Sequence, residues 1–223
     1  MSLSKLEEIV CPCGETFEAE LWNSINPDEN PELKEALLSG EINIVCCPGC
    51  GRIFHAEHFV LYHDAANEIL SFVYPKSFDQ QATLCAEKMN ADFKRAMGGL
   101  GPEKKIIYQP ILLFGLDSLV DLIRVEEAEK DDTSILEYLA GELGLSLLHL
   151  MPSAARERQL LRVLPYVPQN DGARREQIME GIRILLAHNE NLSFYRKLLD
   201  KIEQNGSWAL DKSIVLREKT YGK

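Results

Sequence analysis

The chain has no uninterrupted apolar run approaching the roughly 20 residues that a helix needs to span a bilayer. No membrane association is expected. The opening residues, Met1-Ser2-Leu3-Ser4-Lys5-Leu6-Glu7-Glu8, lack the apolar core of a secretory signal. Six cysteines without such a segment suit a reducing compartment, where clustered thiols bind metal more often than they form disulfides. A cytoplasmic location is therefore expected. Basic residues are scarce in the first third: residues 1–75 hold Lys5, Lys34 and Arg52 against 13 Asp and Glu, which accounts for about −10 of the chain's formal −11. Nucleic-acid binding relies on Lys and Arg displacing counterions from phosphates, so a nucleic acid is a poor partner for this region. Gly98-Gly99-Leu100-Gly101 follows a predicted helix and no Gly-Lys-Ser/Thr comes after it, so it reads as a helix terminator and not a phosphate loop.

What the sequence does hold is a pair of cysteine loops. Cys11-Pro12-Cys13-Gly14 and Cys47-Pro48-Gly49-Cys50-Gly51 lie about 35 residues apart, each closed by a glycine. Two such loops are the usual means of holding one tetrahedral metal ion with four thiolates. Cys11, Cys13, Cys47 and Cys50 are the candidate ligands, and zinc is the expected ion. Four thiolates leave no open coordination position, which favours a structural over a catalytic metal. Because such an ion contributes directly to folding, a chelator is expected to unfold the region that carries it. Cys46, next to Cys47 on an extended segment, should point the other way and serve as a buried spare rather than a ligand.

Residues 6–10 and 16–22 are expected as strands flanking the first loop. Asn30-Pro31 opens a short helix that stops at Gly40, and residues 42–45 lead into the second loop as a strand. Residues 53–62 and 69–74 read as a hairpin, and 104–114 as a strand in which Pro110 suggests an edge position. Between them, Ser77 is expected to cap a helix striped by Phe78, Ala82, Cys85, Met89, Phe93 and Ala96. Further on, Leu116, Leu119, Val120 and Ile123 mark a helix, and the charged run 126–132 reads as a hinge. Thr133 is expected to cap a helix striped by Leu136, Leu139, Leu143, Leu147 and Leu150. Pro152 opens another helix that ends near Pro165. Past a turn at Asn170-Asp171-Gly172, two more helices carry Ile178, Ile182 and Leu185, then Leu192, Tyr195, Leu199 and Ile202. Residues 213–218 suggest a terminal strand. The fold class expected is α+β: a zinc-ribbon-like β half with an inserted helix, residues 1–115, followed by an all-helical half, residues 116–223.

The first 75 residues or so resemble the CpXC domain family, a bacterial and archaeal family named for two Cys-Pro-x-Cys motifs. Three features carry the resemblance. They are the early cysteine pair, the segment Trp22-Asn23-Ser24-Ile25-Asn26-Pro27 followed by Pro31-Glu32-Leu33-Lys34, and Cys47-Pro48-Gly49-Cys50-Gly51 leading into Leu61-Tyr62-His63-Asp64. Weaker similarity runs to about Ile123. The resemblance implies a zinc-ribbon-like fold and no particular activity. The chain departs from the family motif at Cys11-Pro12-Cys13, one residue shorter than the C-x2-C spacing that Cys47 and Cys50 keep. The shorter loop should tighten the chelate and alter the hydrogen bonds to its sulfurs.

No nucleophile, base and orienting group fall together in the sequence. His63 and Asp64 are the candidates for a hydrolase-type site in a cleft between the halves, but a turn role for Asp64 is the simpler reading. His55 and His58, three apart on a predicted strand, would face opposite sides. Cys85 lies on the apolar stripe of its helix and reads as core. Arg156, Arg158, Arg162, Arg174 and Arg175 are interleaved with Glu157, Glu176 and Glu180, the pattern of a solvated, salt-bridged face. The favoured reading is a zinc-binding protein that works through a protein partner or as a regulator, with a homodimer through the helical half as a further expectation.

Overall fold

The computed structural model describes residues 1–99, 101, 105–168 and 174–221. The chain is mixed α and β and divides into two compact units, Met1–Ile123 and Arg124–Lys223. The first unit is built on a five-stranded sheet. Strands β1 (Leu3–Val10) and β2 (Thr16–Ile25) form an antiparallel hairpin at one edge. Helix α1 (Pro31–Leu38) follows, then the short ribbon β3 (Ile44–Cys46) and β4 (Ile53–His55), which forms a separate two-stranded sheet. Strands β5 (Val60–Asp64) and β6 (Ile69–Tyr74) return to the main sheet, with β5 parallel to β2. Helix α2 (Ala82–Gly99) crosses over to β7 (Ile111–Phe114), which lies parallel to β6 and completes the order β1-β2-β5-β6-β7.

Strand β6 is the middle of this core, and all six of its residues are buried. Successive side chains on a strand point to opposite faces, and each face of β6 is covered. Ile69 and Val73 join Leu33 and Leu37 of α1 in one cluster, together with Leu119 and Ile123. Leu70, Phe72 and Tyr74 join Cys85 and Met89 of α2 in another. Covering on both faces explains why β6 reads as a near-continuous apolar run. Cys85 is thus a core residue.

Several expected elements differ in detail. Residues 53–62 are not one strand: β4 pairs with β3, and only β5 forms the hairpin with β6. Ser77 does not cap α2; its hydroxyl donates to Glu57, and a 3-10 turn, Lys76–Gln81, precedes the helix. The strand expected over 104–114 is confined, among the described residues, to Ile111–Phe114 at the sheet edge, just past Pro110. Lys104 and the Asn170-Asp171-Gly172 turn lie outside the described residues. Helix α1 begins at Pro31 as expected, but the Asn30 side chain donates to Glu32 instead of capping backbone N–H groups.

The charged run 126–132 is not a hinge. Helix α3 (Leu116–Leu143) passes through it without interruption. Glu, Ala and Lys are good helix formers, and Thr133 returns its hydroxyl to the Glu129 carbonyl in place of a cap.

The second unit is not all-helical. The apolar stripe that seemed to continue past Leu143 is broken by Gly144 in the left-handed region (φ 65°), and Ser146–Leu150 forms a strand, β8. It is flanked by β9 (Val163–Tyr166) and β10 (Val215–Thr220), both antiparallel to it. The helix opened by Pro152, α4 (Pro152–Glu157), is a short one, and its expected continuation is β9. Helices α5 (Arg175–His188) and α6 (Ser193–Gln204) complete the unit. Ile178, Ile182, Leu185, Leu192, Tyr195 and Ile202 all enter its core. Glu126, buried in α3, accepts Arg156 Nε at 2.7 Å and a second bond from Arg162. Arg158 pairs instead with Asp211. Two of the arginines expected on a solvated face are thus held by a buried carboxylate.

Candidate metal centre

The two cysteine loops are the turns of two β-hairpins. The first, residues 11–15, is closed by the pair Val10 and Thr16; the second, residues 47–52, is closed by Cys46 and Ile53. Their backbones are built alike. In the longer loop Cys47 N–H donates to Arg52 O (2.9 Å) and Gly51 N–H to Cys47 O (2.9 Å). In the shorter one Cys11 N–H donates to Glu15 O (2.8 Å) and Gly14 N–H to Cys11 O (2.8 Å). Each bond therefore survives the missing residue with its span reduced by one. Gly14 (φ 94°) and Gly51 (φ 69°) occupy the left-handed conformation that lets each loop turn back after its second cysteine.

The first cysteine of each loop, Cys11 and Cys47, is buried, and the second, Cys13 and Cys50, is exposed. The four Sγ atoms lie within 4.8 Å of one another. Two of the separations are 3.7 Å (Cys11 to Cys50) and 3.8 Å (Cys13 to Cys47). A disulfide needs about 2.05 Å, so these are thiols in contact. A tetrahedral ion bound to four sulfurs at about 2.3 Å sets them about 3.8 Å apart. The donor set and its spacing fit such an ion, and the four cysteines can hold a metal.

Backbone N–H groups surround the sulfurs. Cys13 N–H points at Cys11 Sγ at 3.5 Å, a contact made by the short loop itself. The Glu15 N–H and the neighbouring thiols draw the Cys13 thiol down to about 7. Cys11 moves the other way: the Cys13 N–H favours its thiolate, but burial and competition with the other three sulfurs push it up to about 12. Cys50 receives the Arg52 N–H, yet Cys13 and burial leave it above the ordinary thiol range. Four sulfurs this close cannot all be anionic without a cation among them. Cys46 stays outside the cluster, as expected of a spare, but it is exposed and not buried, because it lies on the open face of β3 with its thiol directed to Gly51 O.

Asn43 holds the second loop against the main sheet. This buried residue, in the left-handed region (φ 58°), accepts from Trp22 N–H at 2.8 Å and donates to Trp22 O at 3.1 Å. Its own carbonyl accepts from Ala56 N–H just beyond β4, so the ribbon enters and leaves through one asparagine. Sequence reasoning missed it. The signal was a polar residue between Ile42 and Ile44 of a type that tolerates positive φ. Gly49 has a role that the motif alone does not show: a Cβ there would lie 3.2 Å from Glu15 Cγ, so the first loop packs over the second.

His63 and Asp64 are not brought together. Neighbours on β5, they alternate in burial and face opposite sides. His63 pairs with the Tyr108 hydroxyl at 2.9 Å, and burial lowers its pKa. Asp64 uses both oxygens on Asn67, the turn role expected of it. His55 lies on β4, whereas His58 lies beyond it, 2.6 Å from Asn23 Nδ2.

Fold and site together define an α+β protein whose candidate metal centre is carried on two hairpin loops. The family model of CpXC proteins matches residues 9–138, more than half of the chain, and the chain belongs to the CpXC family. No curated protein and no solved structure matches it. Among the described residues no helix is long and apolar enough to cross a membrane.

Proposed function

We propose that Cys11, Cys13, Cys47 and Cys50 hold a structural zinc ion in a zinc-ribbon-like arrangement, and that the protein acts through contact with a protein partner in the cytoplasm. The observation that carries the zinc assignment is the pair of sulfur separations, 3.7 and 3.8 Å, against the roughly 3.8 Å edge of a tetrahedral thiolate site. Zinc is favoured over calcium or magnesium because those ions take oxygen ligands. With all four positions taken by sulfur, no site remains for water or substrate, which supports a structural role. The net charge of about −10 over residues 1–75 argues against a nucleic-acid partner and for a basic protein surface. The separation of His63 from Asp64 weighs against the hydrolase reading. Elemental analysis with X-ray absorption at the zinc edge tests the assignment. One zinc per chain with four sulfurs at about 2.3 Å is expected. Iron in the site, or oxygen and nitrogen in the first coordination sphere, would overturn it.

A further inference from the structure

Strand β1 has one side hydrogen-bonded to β2 and one side open: it ends the five-stranded sheet, and among the described residues no strand pairs with its outer edge. It is eight residues long, and an open edge of that length is a template for pairing unless something blunts it. Leu3, Leu6 and Val10 on it are 45%, 69% and 64% exposed. We propose that this edge pairs antiparallel with β1 of a second copy of the chain, about a two-fold axis at Leu6.

Geometry and charge together select that register. Directly opposed residues of an antiparallel pair share a face. A two-fold axis normal to the sheet must therefore pass where one residue meets its own copy. An axis at Lys5 sets Lys5 against Lys5, and axes at Glu7 or Glu8 set carboxylate against carboxylate. Like charges directly opposite are destabilising. An axis at Ser4 or Ile9 leaves only three residues of each strand paired. An axis at Leu6 opposes Leu6 to Leu6, Ser4 to Glu8 and Leu3 to Ile9, and it opposes Lys5 to Glu7 twice. Lys5 and Glu7 do lie on one face, since their partners across β2 are Leu21 and Ala19, two residues apart. Within its own chain Glu7 Oε1 accepts from Asn23 Nδ2 of β2 at 3.3 Å and sits 3.7 Å from His58 Nε2, contacts that the pairing with Lys5 of a second copy adds to. The complementarity is of the strand to itself, which is why the partner is a second copy and not an unrelated protein.

Sedimentation equilibrium of the full chain tests this. Two paired edge strands bury less than the roughly 1,200 Å² of a standard interface, the range of weak and transient contacts, so a reversible dimer that dissociates on dilution is expected. Lys5→Glu replaces both attractive pairs by repulsive ones and should weaken association about tenfold or more. The double variant Lys5→Glu/Glu7→Lys restores the pairing and should recover the dimer to within a few-fold. Lys5 is exposed, so the single variant should keep the native circular dichroism. A monomer throughout the concentration range would overturn the proposal. So would a dimer that Lys5→Glu leaves unchanged, because its interface would lie elsewhere.

Discussion

Removing the metal should release the β3–β4 ribbon and leave the main sheet standing. The ribbon with its loop, residues 44–55, rests on a small cluster shared with the β1–β2 hairpin: the buried residues there are Leu21 of β2, Val45 of β3 and Ala56 just past β4. Burying those three side chains contributes about 5 kcal/mol at roughly 25 cal/mol per Å². The few hydrogen bonds of the hairpin add about 3 kcal/mol net. Against this, fixing 12 residues costs about 15 kcal/mol of conformational entropy. The ribbon is therefore short by about 7 kcal/mol, and a zinc–thiolate site, with an apparent 10–16 kcal/mol, makes up the difference. Among the described residues, the clusters that pack the main sheet against its helices hold ten buried residues on one face and five on the other, so the sheet does not depend on the ion. The expectation from sequence, that a chelator unfolds the whole region, narrows accordingly. Amide hydrogen exchange before and after chelation, with metal loss verified by elemental analysis, is the assay. Protection should vanish over residues 11–15 and 44–55 and persist in β5, β6 and α2. A ribbon still protected in metal-free protein would refute the reasoning, as would loss of protection in β6 along with it.

Two further predictions concern the second unit. Gly181, inside α5, faces β9 so closely that a Cβ would lie 2.7 Å from Pro165 O and from Tyr166 Cα. Gly181→Ala gains about 1 kcal/mol of helix propensity, but pushing the helix off a strand backbone should cost 3 kcal/mol or more, the upper end for overpacked cores. A net loss of about 2 kcal/mol is expected in urea unfolding followed by Trp208 fluorescence in a Trp22→Phe background, and unchanged or raised stability would contradict the packing argument. His149 on β8 is buried, and burial, with Arg217 and Lys219 nearby, lowers its pKa despite Glu137. The unfolded chain therefore binds the proton more readily, so this histidine should make stability fall as pH drops below about 6.5. His149→Gln should flatten the pH dependence of urea midpoints between pH 7 and 5; an identical slope in the variant would remove His149 as the cause.

The metal loops were legible from the sequence because their chemistry is local. Two Cys-Pro turns, each closed by a glycine, specify hairpin loops whatever surrounds them, and all four sulfurs do meet. The shortening of Cys11-Pro12-Cys13 was also visible. That it keeps the same backbone bonds is decided by the folded loop, where Glu15 and Gly14 each reach one residue less. The helices at α1, α5 and α6 were readable because one face of each is solvated, which leaves a 3.6-residue period in the sequence. Ser146–Leu150 was not, because a strand buried on every residue has no alternation to distinguish it from a buried helix. The charged run 126–132 misled for the opposite reason: Glu126 is buried, satisfied by Arg156 and Arg162 from 30 and 36 residues away, and no local pattern announces such a partner. By itself the sequence determined which residues could share a metal. Only the tertiary structure decided what holds them in place, because Asn43 and Gly49 owe their roles to Trp22 and Glu15, neighbours distant along the chain.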